Sequence, residues 1–256
     1  MCRIYFIFSS YSGKINYPKF KRMALNYYKN ELKENAQLLA SKGKGILAVD
    51  ESTKTVGKRL AGIGVENTEE NRKAYRGMLF TTEGLGKYIS GAILFEETLF
   101  QDHQDGEPMV KKLNDLGIIP GIKVDKGLNP LPGGGDVETF CSGLDGLVGR
   151  AAKYYEQGAR FAKWRAVLQI TNDGCPSKLS IQENAWGLAR YARSVQESGL
   201  VPIIEPEILM DGNHTIEKTA QVQEEVIKQV YIACQANGVF LEGTLLKPSM
   251  TVNGAE

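Results

Sequence analysis

Charged side chains recur near the ends of apolar, β-rich runs in this 256-residue sequence. Residues two apart in a strand point to the same face, so each charged pair at that spacing would project to one side of its strand. The pairs are Lys123 and Asp125, Lys163 and Arg165, and Glu205 and Glu207. Two single charges, Asp50 and Lys247, stand at the ends of two further runs.

These residue types suit a site that binds phosphate and moves protons. Four cations would meet four carboxylates, so phosphate could bind while acid and base groups remain at hand. Alternatively, these charges form salt bridges at the rim of the protein, or belong to long side chains that extend to water. Charges at a similar depth in five of six runs disfavour that alternative, because burying many ions is costly unless they pair or serve catalysis.

Metal catalysis is not expected from this sequence. The chain has two histidines, His103 and His214, and both lie outside the β-rich runs. A zinc-dependent carbon–carbon lyase would need a cluster of such ligands. We therefore expect no metal and no other cofactor.

The runs that carry the charges alternate with segments of helical periodicity. One such segment places Val222, Val226, Val230 and Cys234 on one helix face, and Gly199 and Gly238 are expected helix stops. The six runs start at residues 45, 89, 118, 159, 200 and 239. This βα repeat predicts a parallel sheet with helical crossovers.

Two architectures accept that repeat, a closed (β/α)8 barrel and an open doubly wound sheet. Nucleotide-binding fingerprints, which favour the open sheet, are absent from the sequence. The glycine-rich stretch 131–136 lacks a phosphate-loop lysine and reads as a flexible surface loop. Charges toward the carboxyl ends of the runs favour the barrel, whose active sites form at that face.

Composition narrows the possible partners. The net charge of +1 provides no long-range field for nucleic acid or an anionic membrane, and no apolar run approaches the roughly 20 residues of a membrane-spanning helix. Four widely spaced cysteines indicate free thiols in a reducing compartment. We expect a soluble, cytoplasmic protein that binds neither nucleic acid nor membranes.

The first 30 residues contain six basic residues and no acidic one. A targeting peptide can have this bias, but the apolar stretch 4–8 is shorter than the roughly 7–15 residues of a secretory signal. A disordered extension, or a true start at Met23, is the favoured interpretation. We expect residues 1–30 to be disordered and residues 31–256 to form the barrel domain.

Seven segments, in order from about residue 43 to 252, resemble class I fructose-bisphosphate aldolase. They are GKGILAVDEST (43–53), ENTEENR (66–72), ISGAILFEETL (89–99), GIKVDKG (121–127), GARFAKWR (158–165), VPIIEPEIL (201–209) and LEGTLLKP (241–248). The resemblance implies a (β/α)8 TIM barrel that reversibly cleaves fructose 1,6-bisphosphate to dihydroxyacetone phosphate and glyceraldehyde 3-phosphate, in glycolysis and gluconeogenesis.

The resemblance also implies a role for each matched residue. Lys247 would form the Schiff base, Lys163 would be its neighbouring cation, Glu205 would transfer protons, and Asp50 would be the base on the C4 hydroxyl. Glu207, Arg165 and Lys123 would line the site, with Ser52, Thr55 and Lys123 near one phosphate. An ordinary lysine is protonated at pH 7, so we expect Lys163 and partial burial to disfavour the charged form of Lys247.

The resemblance further implies a homotetramer. The sequence differs from the family pattern in one respect. The sequence carries only about six βα units, and we expect it to be C-terminally incomplete, because an open six-stranded sheet leaves two unpaired edges. Two alternatives stay open: an inactive aldolase-like fragment or scaffold that acts as a binding module, and another Schiff-base lyase of the transaldolase type. Preference between fructose 1,6-bisphosphate and the 1-phosphate stays open as well.

Overall fold

The computed structural model describes residues 24–256, which form helices and strands in alternation. The helices are α1 (Ala24–Leu39), α2 (Thr53–Ala61), α3 (Glu69–Phe80), α4 (Glu96–Leu99), α5 (Met109–Asp115), α6 (Leu147–Glu156), α7 (Lys178–Gln196) and α8 (Ile216–Ala236). The strands are β1 (Gly45–Val49), β2 (Ile89–Leu94), β3 (Ile119–Lys123), β4 (Leu128–Pro130), β5 (Thr139–Cys141), β6 (Phe161–Leu168), β7 (Val201–Ile208) and β8 (Leu245–Leu246).

Six of these strands form one parallel sheet in the order β1-β2-β3-β6-β7-β8. All its pairs are parallel, with Lys123 opposite Lys163 and Arg165 opposite Glu205 across neighbouring strands. Helical crossovers join successive strands, as the βα repeat predicted. This curled sheet is the α/β arrangement of part of a (β/α)8 barrel, in which the carboxyl ends of all strands face one mouth.

Two details differ from the predicted strands. The run predicted from residue 239 is mostly a 3-10 turn over Leu241–Gly243, and only Leu245–Leu246 pair with β7. A Cβ atom at Gly243 would lie 2.7 Å from Cβ of Leu32, so α1 presses directly on this turn. The stretch 131–136 is the tip of an antiparallel hairpin, β4–β5, which the sequence did not predict.

Helix α1 packs against the inner face of the sheet at its amino end. Leu32 is fully buried there against the apolar residues that begin or line β2, β6 and β7. They are Ile93, Phe161, Val201 and Ile203. We call this layer the floor of the barrel and the opposite, carboxyl ends of the strands the mouth.

The start of α1 corrects the predicted domain boundary. Residues 24–30, which we expected to be disordered, form the first turns of this helix, and Leu25 is buried. Its side chain belongs to the floor cluster, which explains why the helix extends this far. The rest of the predicted extension, residues 1–23, lies outside the described part of the chain.

The outer helices follow the predicted periodicity. Val222, Val226, Val230 and Cys234 are all buried on one face of α8, and α7 and α8 end just before the left-handed Gly199 and Gly238. Across residues 24–256, no helix combines the length and apolarity needed to cross a membrane.

Candidate active site

A chain of alternating charges crosses the mouth of the barrel. Lys247, directly after β8, donates a hydrogen bond to Glu205 of β7. The second oxygen of Glu205 lies 3.7 Å from Nζ of Lys163 on β6, and Lys163 lies 2.6 Å from the carboxylate of Asp50 at the end of β1. Four elements distant in sequence thus bring together the four residues predicted to do the chemistry.

Lys163 is the centre of this chain and is held as a cation. Its side chain is only 10% exposed, and such burial alone disfavours a charge. The carboxylates of Asp50, Glu205 and Asp125 outweigh the burial and raise the pKa of Lys163 above its ordinary value. The structure therefore supplies a fixed positive charge between two buried carboxylates.

The loop from β1 into α2 forms one wall of a polar cavity of about 340 Å³. Ser52 is the N-cap of α2: its side-chain oxygen accepts a hydrogen bond from the backbone N–H of Thr55, and the two hydroxyls lie 3.1 Å apart. A helix N-terminus favours negative charge through its free N–H groups and its dipole. Ser52 and Thr55 line the same cavity as Lys123, so this wall can receive a phosphate.

The remaining predicted residues form two further ion pairs. Lys123 contacts Asp125, two residues along the chain, and Arg165 contacts Glu207 on the neighbouring strand. Lys123 and Arg165 line the polar cavity, whereas Glu207 is not among its lining residues. The Arg165 and Glu207 side chains are 41% and 31% exposed, so this pair lies nearer to solvent than Lys163.

Lys247 differs from its expected surroundings. We expected partial burial, but its side chain is 55% exposed. It lies on a mainly apolar groove of about 380 Å³ between β1 and β8, the two edges of the sheet. Glu205 joins the two spaces, because one carboxylate oxygen contacts Lys247 and the other faces Lys163.

Sequence reasoning missed several residues of the polar cavity. Gly127, Leu128 and Cys141 come from the unpredicted β4–β5 hairpin, and Glu51 lines the cavity while pairing with Arg59 of α2. Burial raises the pKa of the Cys141 thiol to about 12, so the thiol is protonated at neutral pH. Glu51 follows Asp50 directly, and that position beside a predicted base was the signal available for it.

The described residues, 24–256, contain no group of three or more His, Cys, Asp or Glu side chains arranged to hold a metal ion. The polar cavity mixes lysines and an arginine with its carboxylates. Hard divalent cations need a set of oxygen ligands instead.

Comparisons with known proteins agree with the fold. The family model of class-I fructose-bisphosphate aldolase matches residues 31–256. Fructose-bisphosphate aldolase 3, chloroplastic, of Arabidopsis thaliana is 58% identical over 90% of this chain, and fructose-bisphosphate aldolase 2 of Plasmodium berghei (strain Anka) is 60% identical over 88% of it. A solved structure of Plasmodium falciparum aldolase, in complex with TRAP and a small-molecule inhibitor, superposes with a TM-score of 0.88 at 57% identity.

The chain belongs to the class-I fructose-bisphosphate aldolase family. It spans 58% of the length of the Arabidopsis relative and 61% of the Plasmodium berghei relative. The match to the solved structure covers 90% of this chain and 66% of the solved chain. The family assignment confirms the predicted α/β barrel class.

One expectation is wrong. We expected a cytoplasmic protein because the cysteines indicate free thiols and the apolar stretch 4–8 is too short for a secretory signal. Relatives from Arabidopsis, rice and spinach, each 58% identical to this chain, are chloroplastic aldolases. A plastid interior also preserves free thiols, so the cysteine argument could not separate the two compartments.

Proposed function

We propose that the protein reversibly cleaves fructose 1,6-bisphosphate to dihydroxyacetone phosphate and glyceraldehyde 3-phosphate through a Schiff base on Lys247. The observation that carries the proposal is the unbroken line of contacts from Lys247 through Glu205 and Lys163 to Asp50. It joins an amine, a proton carrier, a fixed cation and a base within one mouth.

Each group has a step in the reaction. The Lys247 amine, after giving a proton to Glu205, attacks the C2 ketone and loses water to form an iminium ion. Asp50 removes the C4 hydroxyl proton, the C3–C4 bond breaks to release the aldehyde, and its electron pair moves to the iminium as an enamine. Protonation at C3 and hydrolysis then release dihydroxyacetone phosphate and restore the Lys247 amine.

Lys163 serves this sequence as a cation. It lies between Asp50 and Glu205, so it stabilises the negative charge that each carboxylate holds. Its raised pKa keeps that charge in place at neutral pH.

Substrate phosphate would lie against the α2 wall. Ser52, Thr55 and Lys123 offer two hydroxyls, helix N–H groups and an ammonium around one cavity. Arg165, paired with Glu207 at the rim, contributes a second cation to the same space. The alternative of an inactive scaffold has no observation in its favour, since a binding module needs no buried lysine between two carboxylates.

The protein would act as a homo-oligomer, the tetramer that the resemblance implies. Large apolar side chains are exposed where α7 and α8 meet, with Trp186 49% and Ile232 52% exposed along one groove. Contiguous apolar surface of this kind commonly marks a protein interface. Light scattering should give a mass above that of one chain, and Trp186→Glu should lower it while the circular dichroism spectrum of the folded chain is retained. An unchanged mass for the variant would contradict this interface.

Product analysis tests the activity. The protein should convert fructose 1,6-bisphosphate to the two triose phosphates, and it should lose activity when borohydride is added with dihydroxyacetone phosphate. Lys247→Ala should abolish both effects. Lys112→Ala is the matched control and should change neither, because Lys112 is a partly buried lysine outside the mouth that pairs with Asp105 and Glu107. Wild-type turnover that survives borohydride, or turnover retained by Lys247→Ala, would overturn the proposal.

A further inference from the structure

Arg76 is a fully buried cation that no step of the proposed reaction uses. It lies on α3 with no exposed surface. One guanidinium nitrogen donates to the hydroxyl of Thr98 at 2.8 Å, and the other donates to the backbone carbonyl of Glu51 at 2.7 Å. The guanidinium carbon lies 5.6 Å from the centre of the Phe95 ring.

The contact with Glu51 falls in the loop that carries the proposed base. Glu51 follows Asp50 and precedes Ser52, and both of these neighbours line the polar cavity. A charge-assisted bond to a backbone carbonyl is stronger than one between neutral groups. The rigid, planar guanidinium therefore connects this loop to Thr98 in α4, the helix that follows β2.

Burying such a cation is unfavourable unless it is paired. Burial lowers the pKa of Arg76, and Glu97, Glu51 and Asp50 act in the opposite sense. No carboxylate forms a direct ion pair with it among the described residues, and its Nε has no hydrogen-bond partner. An apolar side chain would fill the same space at less cost, so a purely structural role leaves the guanidinium unexplained.

We propose that Arg76 is a positioning residue that holds the Glu51 carbonyl, and with it the carboxylate of Asp50, in the geometry needed to take the C4 hydroxyl proton. This inference rests on the proposed function, because Asp50 is the group it serves. Arg76 acts through the loop and does not touch the substrate.

The two halves of the reaction separate this role from a general loss of structure. Asp50 acts in carbon–carbon cleavage, whereas iminium formation between Lys247 and dihydroxyacetone phosphate involves no C4 hydroxyl. A displaced loop should therefore slow cleavage and leave borohydride trapping of dihydroxyacetone phosphate close to the wild-type rate. A disordered barrel would slow both.

The test compares Arg76→Met with Arg76→Lys in the full chain. A misplacement of about 1 Å caused by a mutation away from the chemistry can cost about 10²-fold in rate, and we expect a fall of up to that order in kcat for cleavage by Arg76→Met. Arg76→Lys, which can reach only one of the two acceptors, should fall between Arg76→Met and wild type. Thr98→Val removes the second acceptor alone and should show a smaller fall of the same kind.

Gln196→Met is the matched control. Gln196 is also fully buried and donates to the backbone carbonyls of Phe240 and Gly243, but at the floor of the barrel. This variant should change cleavage and trapping in the same proportion. Parallel changes in Arg76→Met, or no change in either rate, would overturn the positioning role. If Arg76→Met does not fold, Arg76→Lys and Thr98→Val decide by the same ratio.

Hydrogen exchange gives a readout that does not depend on activity. The amides of Glu51 and Ser52 should exchange faster in Arg76→Met than in wild type, while those of β7 should not change. Unchanged exchange in the loop would overturn the inference even if cleavage falls. A wild-type protein that neither traps nor cleaves would instead refute the proposed function, and the exchange result would still show whether Arg76 holds the loop.

Discussion

The mouth and the floor of the barrel are built from the same strands, but the mouth buries charged side chains and the floor buries apolar ones. At the mouth, β6 and β7 contribute Lys163 and Glu205, which are buried in a line of ion pairs. At the floor, the first residues of the same strands are Phe161 and Val201, both fully buried in an apolar cluster. One strand thus changes from core to candidate site within two residues.

Because of this difference, substitutions at the floor and at the mouth should affect stability and activity differently. Apolar burial at the floor stabilises the fold by roughly 25 cal/mol per Å². Buried ions at the mouth recover their loss of hydration only through mutual contact, and replacing such a pair with apolar residues is often neutral for stability or improves it. We therefore expect floor variants to lose stability and mouth variants to lose activity.

The largest effect should come from Phe161→Ala. A buried phenylalanine truncated to alanine typically costs about 3–5 kcal/mol of the free energy of unfolding, and the Phe161 ring fills the floor above Gly121 and Gly91. Urea unfolding should show this loss, while cleavage by the folded protein at low temperature stays near wild type. Lost activity in a variant of unchanged stability would contradict the division between floor and mouth.

Lys163→Met should lower the activity of the folded protein, which Phe161→Ala should leave near wild type. It removes the cation between Asp50 and Glu205, and the loss of one preorganised electrostatic group typically slows a reaction by about 10²–10³-fold. Steady-state assays at low temperature should show that fall in kcat for the folded protein. The variant should also be less stable, because Asp50 and Glu205 lose the buried cation between them. Near-normal turnover would show that the buried ammonium is structural.

Much of this arrangement could be predicted from the sequence because the strand spacing and the helix spacing of its residues are both clear. The runs that became β1, β6 and β7 are mainly apolar, with a charge directly after β1 and charges spaced two apart in β6 and β7, and the apolar face of α8 repeats at helical spacing. Those patterns follow directly from burial, so they indicate the strands, the helices and the mouth. Lys163 and Asp50 were found for the same reason.

The features that the sequence did not predict depend on tertiary contacts, which a sequence does not show. Strands β4 and β5 are three residues each and pair only with one another, so neither has a run long enough to detect. Arg76 looks like an exposed helix residue until α3 is packed against the loop after β1. The exposure of Lys247 depends on its position at a sheet edge, which spacing alone does not give.

A smaller effect, on stability, should follow from substitution of Glu138, whose charge stabilises the fold. Glu138 is buried, and its carboxylate accepts hydrogen bonds from the backbone N–H groups of Ser177 and Gly135 and from the Ser177 hydroxyl. Burial alone would raise its pKa, but these bonds together lower it below 4.5. The carboxylate thus fastens the β4–β5 hairpin to the start of α7.

Because the folded-state pKa is lowered, this stabilisation is present above about pH 4.5 and is lost as pH falls through the folded value. Glu138→Gln should lower the free energy of unfolding at pH 7 by about 1.5–3 kcal/mol, the range for bonds to a charged group. The difference from wild type should shrink as unfolding is measured at lower pH. A difference independent of pH would contradict the role of the charge.

Exhaustive chelation should have no effect at all. Lys247 replaces a metal as the electron sink in the proposed reaction, so treatment with a chelator should leave cleavage unchanged. Rates before and after chelation, and after addition of zinc, provide the measurement. A loss of activity that zinc restores would contradict the Schiff-base reaction.

The most direct measurement of the central claim is to locate the covalent adduct. The protein is reduced with borohydride in the presence of dihydroxyacetone phosphate, digested, and mapped by peptide mass spectrometry. Lys163 and Lys123 are internal controls, since both lie at the same mouth but are paired with Asp50 and Asp125. We predict the reduced adduct on Lys247, in the segment 241–248. An adduct on Lys163 or Lys123, or no adduct in an active protein, would contradict the account.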